Sequence, residues 1–516
     1  MNPLSRREFL ADVGKGMVVA SIGSSLAADL GFSPAFAQEK ITRLTFGRLE
    51  PLVTLMQETP AARLLPMAVE RLRNGTELRD IVAAVALANA RTFGGEDYVG
   101  FHTMMAIAPA FHMASELPEN RRALPVLKVL FRNASRIHER RGPEVLRPVT
   151  AGTLPAGRIG GEVLRDAVRR PNINEAETTF AALASGPADE ALNHLLYMVH
   201  DGADVHRVVL PYRAWDLMGI IGQSQAHTLL RQSVRFCIKG ETPRYVQYIA
   251  GIRTLVPRLL DQHNLLTRTL GGRTADDAWV EQMSMTIFRG TPEAAAEAAA
   301  AALAEGIDPD ALGEAITLAA NQLVLRDNGR PQAEGPNKPA GSIHGDSIGV
   351  HATDSANAWR NLAKVSNTRN KAVCLILGAW QAARDRGDRG GNFLNWQPYP
   401  RQEARGQVQN LDGPALLTNL NDAIRARDQA KAAACVARYG ELNLPVRPVF
   451  DLLLGYAISE DGALHAEKFY RTATEEFNNT RPAFRWRHLI ALARVTASAH
   501  GYPAPGYADA RKLLGV

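Results

Sequence analysis

An all-α fold of duplicated helical repeats, arranged as a pseudo-twofold bundle or a short α-solenoid, is what this sequence predicts. Three observations carry the prediction. Apolar residues recur three and four positions apart almost throughout, the spacing of one helix face. Alanine and leucine dominate, and the alternating β-branched runs that mark strands are scarce. The chain also repeats itself. Thr59-Pro60 opens a segment running through Ala68, Gly75 and Leu87-Ala88-Asn89. Thr291-Pro292 opens another through Ala299, Gly306 and Leu318-Ala319-Ala320, in a register of 231–232 residues. In each copy Thr-Pro is a good N-cap and first-turn pair, and the central glycine ends one helix before the next begins.

The first element is an address. Ser5-Arg6-Arg7-Glu8-Phe9-Leu10 precedes a weakly apolar run from Val13 to Leu30 and then Ala35-Phe36-Ala37-Gln38. Paired arginines, a mild hydrophobic region and an A-x-A site together resemble the bacterial twin-arginine export signal. The resemblance implies recognition by the twin-arginine export machinery, cleavage after Ala37, and a mature chain exported in folded form to the periplasm or beyond. Removing residues 1–37 takes away Arg6, Arg7 and Lys15 with Glu8, Asp12 and Asp29, so the net charge stays near +6. No later segment approaches the ~18 uninterrupted apolar residues of a membrane span, so no integral membrane segment is expected after cleavage. Only ten of the 59 basic residues are lysine, and the arginines are scattered along helices. That distribution describes a solvated surface and no nucleic-acid stripe.

The remainder divides into a first helical half, 38–270, and a second, 271–516, joined near Gly271-Gly272. Asp216-Leu-Met-Gly219 followed by Ala226-His227 matches Leu452-Leu-Leu-Gly455 followed by Leu464-His465, and Pro243 with Tyr245 matches Pro482 with Phe484. Two long loops interrupt the helices. The Gly/Pro-rich stretch from Arg326 to Ser342 is about eleven residues longer than its counterpart before His102, and a second runs from Arg384 to Arg405 with Phe393, Trp396 and Tyr399. Loops of this length inside a compact chain are usually functional or disordered. Because loop closure costs only about 0.6 kcal/mol per doubling of length, shortening Arg330–Pro339 is expected to leave stability nearly unchanged.

Chemistry is expected at histidines that fall in register. Gly100-Phe-His102 aligns with Ser342-Ile-His344 at an offset of 242, where His112 falls on Asp354, and the other repeat pair supplies His227 and His465. One histidine in each of four subunits is what a central site on a pseudo-twofold axis needs, and neutral imidazole is a common ligand for transition metals. His102, His227, His344 and His465 are therefore the expected metal ligands. Glu96, Asp97, Asp346 and Asp354 lie within a few residues of them. The run His344-Gly-Asp-Ser-Ile-Gly-Val-His351 is the densest polar cluster, and His344, Asp346 and His351 are its catalytic candidates. The spacings fit neither H-E-x-x-H nor E-x-x-H, so packing or capping histidines are the alternative reading. His138, His194, His263, His488 and His500 are read as structural or surface residues.

Other patterns are weaker. Gly345-Asp346-Ser347-Ile348-Gly349 fits G-x-S-x-G, but the nucleophile elbow needs a strand before it, and a proline-rich loop stands there. Gly94-Gly95-Glu96-Asp97 and Gly157-Arg-Ile-Gly160-Gly161 read as helix breaks. Cys237, Cys374 and Cys435 form no C-x-x-C-H, which excludes covalently attached c-type haem. Each lies in an apolar helical run and is expected to be a buried small hydrophobe. The functional expectation is an exported all-helical enzyme, a metal-dependent oxidoreductase or lyase acting on a small molecule between the two halves. The alternative is a helical-repeat binding or scaffold protein that meets a periplasmic protein partner through the aromatic loop Phe393–Tyr399.

Overall fold

Helices follow the alanine- and leucine-rich stretches from end to end. The computed structural model describes residues 43–140, 142–387 and 392–516, so the export signal lies outside the described residues. The chain runs through α1 (Glu50–Glu58), α2 (Ala61–Arg73), α3 (Leu78–Phe93), α4 (Tyr98–Ser115), α5 (Leu124–Arg140) and α6 (Gly160–Arg169). It continues through α7 (Ile173–Leu183), α8 (Ala188–Val199), α9 (Val205–Ile221), α10 (Ala226–Gly240) and α11 (Pro243–Gln262). Beyond Gly271-Gly272 come α12 (Asp277–Arg289), α13 (Pro292–Ala304), α14 (Pro309–Arg326), α15 (Ile348–Val365), α16 (Thr368–Gly387) and α17 (Gln402–Val408). The last six are α18 (Gly413–Arg425), α19 (Gln429–Glu441), α20 (Arg447–Ser459), α21 (Ala466–Asn479), α22 (Trp486–Ala499) and α23 (Tyr507–Leu514). No strand occurs among the described residues, and none of their helices is long and apolar enough to cross a membrane.

The expected punctuation holds in part. Gly75 and Gly306 take φ of +90° and +81° between consecutive helices, a conformation that favours glycine. Thr291 caps α13 by accepting from the Ala294 amide. Thr59 does not repeat that role, because Pro60 occupies the N-cap of α2 and Thr59 closes α1.

Packing follows one order in both parts of the chain. Helix α3 packs on α4, α4 on α5 and α2 on α5, while α14 packs on α15, α15 on α16 and α13 on α16. Likewise α7 and α8 rest on α10, as α18 and α19 rest on α22. At the centre α4 and α15 each touch both α9 and α21. Helix α4 is buried on nearly every side from Gly100 to Ala110, which is why its sequence is apolar all round and not amphipathic. A single apolar cluster runs through residues of both parts, from Phe46 to Ala510, and α23 folds back onto α2 and α5.

Two glycines set how closely the central helices approach. A Cβ on Gly100 would come within 2.5 Å of the Phe93 ring, and one on Gly349 within 2.8 Å of the Val324 backbone nitrogen. Both lie two residues before a histidine. The three cysteines are free and buried, as their apolar surroundings led one to expect.

Candidate metal centre

Four histidines meet where α4, α9, α15 and α21 converge. His102 stands on α4, His206 on the first turn of α9, His351 on the first turn of α15, and His465 is the residue at which α21 begins. His102 Nε2 lies 3.1 Å from His206 Nε2, and His351 Nε2 lies 3.0 Å from His465 Nε2. The pairs are joined to each other, with ring centroids 5.1 Å apart for His102 and His465 and 5.4 Å apart for His206 and His351. His102, His351 and His465 each bring a ring nitrogen within 4.8 Å of the others.

Each ring is placed by how its helix starts. Asp97 caps α4 through the Gly100 amide at 2.8 Å and is held by Arg136. Asp204 caps α9 by accepting from the amides of His206 and Arg207. Ser347 caps α15 at the Val350 amide. His102 Nδ1 lies 2.6 Å from the Tyr98 carbonyl oxygen, which can only accept, so Nδ1 carries the proton and Nε2 presents its lone pair to the cluster.

The electrostatics keep His102 and His351 neutral. Burial is the largest influence on His102 and pushes its pKa well below the usual range, reinforced by the nearby Lys468. Burial likewise pushes His351 down to about 3. Neutral imidazoles can ligate at ordinary pH without first losing a proton. Asp204 is pushed up by burial, but its hydrogen bond with His206 and the nearby positive charge outweigh that and hold it ionised. Asp346 acts on the charge of both His351 and Tyr98, while Arg330 and Lys338 grip its oxygens at 2.7 and 2.8 Å.

Of the four ligands expected from sequence, the fold brings together His102 and His465. It places His344 and His227 elsewhere. His344 has Nδ1 2.8 Å from Ser498 Oγ and Nε2 2.7 Å from the Asn337 carbonyl, so both its nitrogens are engaged outside the cluster. It faces His465 only across a cavity of about 20 Å³, room for one water molecule. His227 stacks on Phe180 in α10, and burial takes it down to about 4. His351, expected as a catalytic residue, stands in the ligand cluster. Asp346 remains beside it in the surrounding charge. Glu96 pairs with Arg235, and Asp354 Oδ1 accepts from Thr472.

His206 had no place in the sequence reading, yet the signal was there. Asp201-Gly-Ala-Asp-Val-His206 and Asp461-Gly-Ala-Leu-His465 share D-G-A before the histidine, and Tyr212-Arg213 is matched by Tyr470-Arg471. Gly100-Phe-His102 is matched by Gly349-Val-His351, seven residues beyond the alignment with His344. These pairs stand 249 and 259 residues apart, outside the 231–242 register, which hid the pairing.

The rival motifs have structural roles. Ser347 donates to the Ile343 carbonyl at 2.6 Å and caps α15, with a loop and no strand before it. Gly94 closes α3 in the left-handed region and Gly160 opens α6, as helix breaks should. In the second loop Phe393 is buried against Trp396, and the Arg494 guanidinium lies 3.7 Å over the Tyr399 ring, so these aromatics are spent on packing. Comparison with protein-family models, curated proteins and solved structures finds no match to this chain in any of the three.

Proposed function

We infer that this protein is a metal-dependent enzyme, an oxidoreductase or lyase acting on a small molecule, whose centre is one transition-metal ion held by His102, His351 and His465, with His206 beside His102. The observation that carries the reading is that His102, His351 and His465 each bring a ring nitrogen within 4.8 Å of the others, with Nε2 of His351 and His465 3.0 Å apart. With metal–nitrogen bonds of about 2.0–2.1 Å, neighbouring ligands stand about 3.3 Å apart in a tetrahedron and about 2.9 Å apart at right angles. The observed spacing falls nearer the right angle, a geometry that leaves coordination positions open. A set of neutral imidazoles with no carboxylate among them suits zinc, copper, iron or nickel over magnesium or calcium.

The same reading makes the chain a duplication with the centre on its pseudo-twofold axis. Helix α4 corresponds to α15 and α9 to α21, with α20 an addition to the second half. The repeated G-x-H and D-G-A motifs and the shared packing order support it. The twin-arginine-like segment supports export of the folded, metal-loaded chain.

Metal content of protein purified from its export compartment tests the proposal. One transition-metal ion per chain is expected, lost in His102→Ala combined with His351→Ala. A metal-free wild type, or unchanged content in that double variant, would sink it. Overturning the export reading takes only an Arg6→Lys, Arg7→Lys precursor that is still exported and cleaved.

A further inference from the structure

We propose that the centre takes an anionic ligand, a carboxylate- or oxyanion-bearing small molecule bound between the metal and the Lys468 ammonium group; this rests on the metal reading above. Lys468 is one turn beyond His465 on α21, and Asp354 is one turn beyond His351 on α15, the two helices packing on each other. A polar layer therefore lies directly beside the His351–His465 pair. The equivalent positions beyond His102 and His206 are Met105 and Val209, both apolar and buried. At these positions only the His351–His465 side carries charge; the His206 side has the carboxylate of Asp204 instead.

Lys468 is 2% exposed and makes no hydrogen bond or ion pair with another described residue. Its neighbour Glu467 is taken by Lys128 at 2.6 Å. Asp354 spends Oδ1 on Thr472, while its Oδ2 is buried without a partner. A buried ammonium group with no close counterion is costly, and burial pulls its pKa down to about 8 against the attraction of Asp354 and Glu467. The surroundings add to the positive field. Imidazole ligands bring no negative charge to offset that of a divalent ion, and helix N-termini converge on the site, where negative charge is favoured. Asp346, five residues before His351, is already neutralised by Arg330 and Lys338. An exogenous anion satisfies the metal, the helix ends and Lys468 together.

The test uses the full mature chain loaded with Co(II) and titrated with azide, following the visible bands of the cobalt. Azide is expected to bind, and Lys468→Met to raise its dissociation constant about tenfold or more, the loss expected for one charged hydrogen bond. Cobalt should stay at one per chain in that variant, its metal-free form should melt higher than wild type, and Lys468→Arg should restore azide affinity. Unchanged azide affinity in Lys468→Met at full cobalt content overturns the anion site and leaves the metal centre standing. A lower melting point for Lys468→Met would mean that the ammonium has a structural counterion, and it overturns the proposal too. Failure of the wild type to bind cobalt overturns both.

Discussion

His112 Nε2 and Asp216 Oδ1 stand 2.7 Å apart, ten residues beyond His102 and His206 on the same two helices. Helices α4 and α9 therefore run parallel in matched register, clamped at one end by a hydrogen bond and joined at the other through two imidazoles. Burial alone would raise the Asp216 pKa, but the His112 hydrogen bond and the Arg213 charge hold it below the usual range. A carboxyl depressed in the folded state contributes stability that is present above about pH 4 and lost as the pH falls through the folded value. Asp216→Asn is expected to cost about 1–3 kcal/mol in urea unfolding at pH 7, with metal content retained.

Acid sensitivity should begin at higher pH than that carboxylate can explain. His488 is enclosed, with Nε2 3.1 Å from Thr480 Oγ1, and burial pushes it down to about 4. The unfolded chain takes up this proton near pH 6.5 and the folded chain only near pH 4. Between those values each pH unit of acidification costs about 1.4 kcal/mol for such a residue. His488→Asn should flatten the decline of unfolding free energy between pH 6.5 and 4.5 without changing the slope at lower pH. An unaltered slope would show that His488 is not buried in neutral form.

Gly349→Ala tests the close approach of α15 to α14. The added methyl meets backbone atoms of Leu323 and Val324 that cannot swing aside as a side chain would. A loss of about 1–3 kcal/mol is expected, together with weaker metal binding as His351 is displaced. Gly219→Ala, where a Cβ meets nothing within 4 Å, is the control and should change neither.

His351→Ala and His344→Ala should separate cleanly. The first removes a ring nitrogen from the cluster and is expected to abolish stoichiometric metal binding. The second breaks contacts to Ser498 and Asn337 and should lower the melting temperature while leaving metal content at one per chain. Thermal shift with and without added metal reads both outcomes, since a ligand that binds only the folded chain raises its stability by mass action.

Shortening the long loop is no longer expected to be harmless. Arg330 is fully buried, donates to the His344 carbonyl at 2.9 Å, and reaches Asp346 at 2.7 Å. Gly329, at φ +88°, sits so close to Gly341 that a Cβ there would strike its carbonyl. Excising 330–339 removes this anchor, and even Arg330→Met should cost about 3 kcal/mol by leaving buried acceptors unpaired. Equilibrium unfolding of both variants checks it.

The sequence by itself determined the helices, their breaks at Gly75, Gly94 and Gly306, and the burial of the cysteines, because these rest on local periodicity and backbone preference. It also named His102, His351 and His465. It did not decide which histidines share a centre. His344 and His351 lie seven residues apart and look equivalent along the chain, yet the start of α15 at Ile348 turns one into the cluster and leaves the other in the loop beneath Arg330. His206 was overlooked because it stands 259 residues before His465, outside the 231–242 register, although its D-G-A motif recurs before His465. These histidines are separated by 104 to 363 positions, and only the packing of α4, α9, α15 and α21 brings them together.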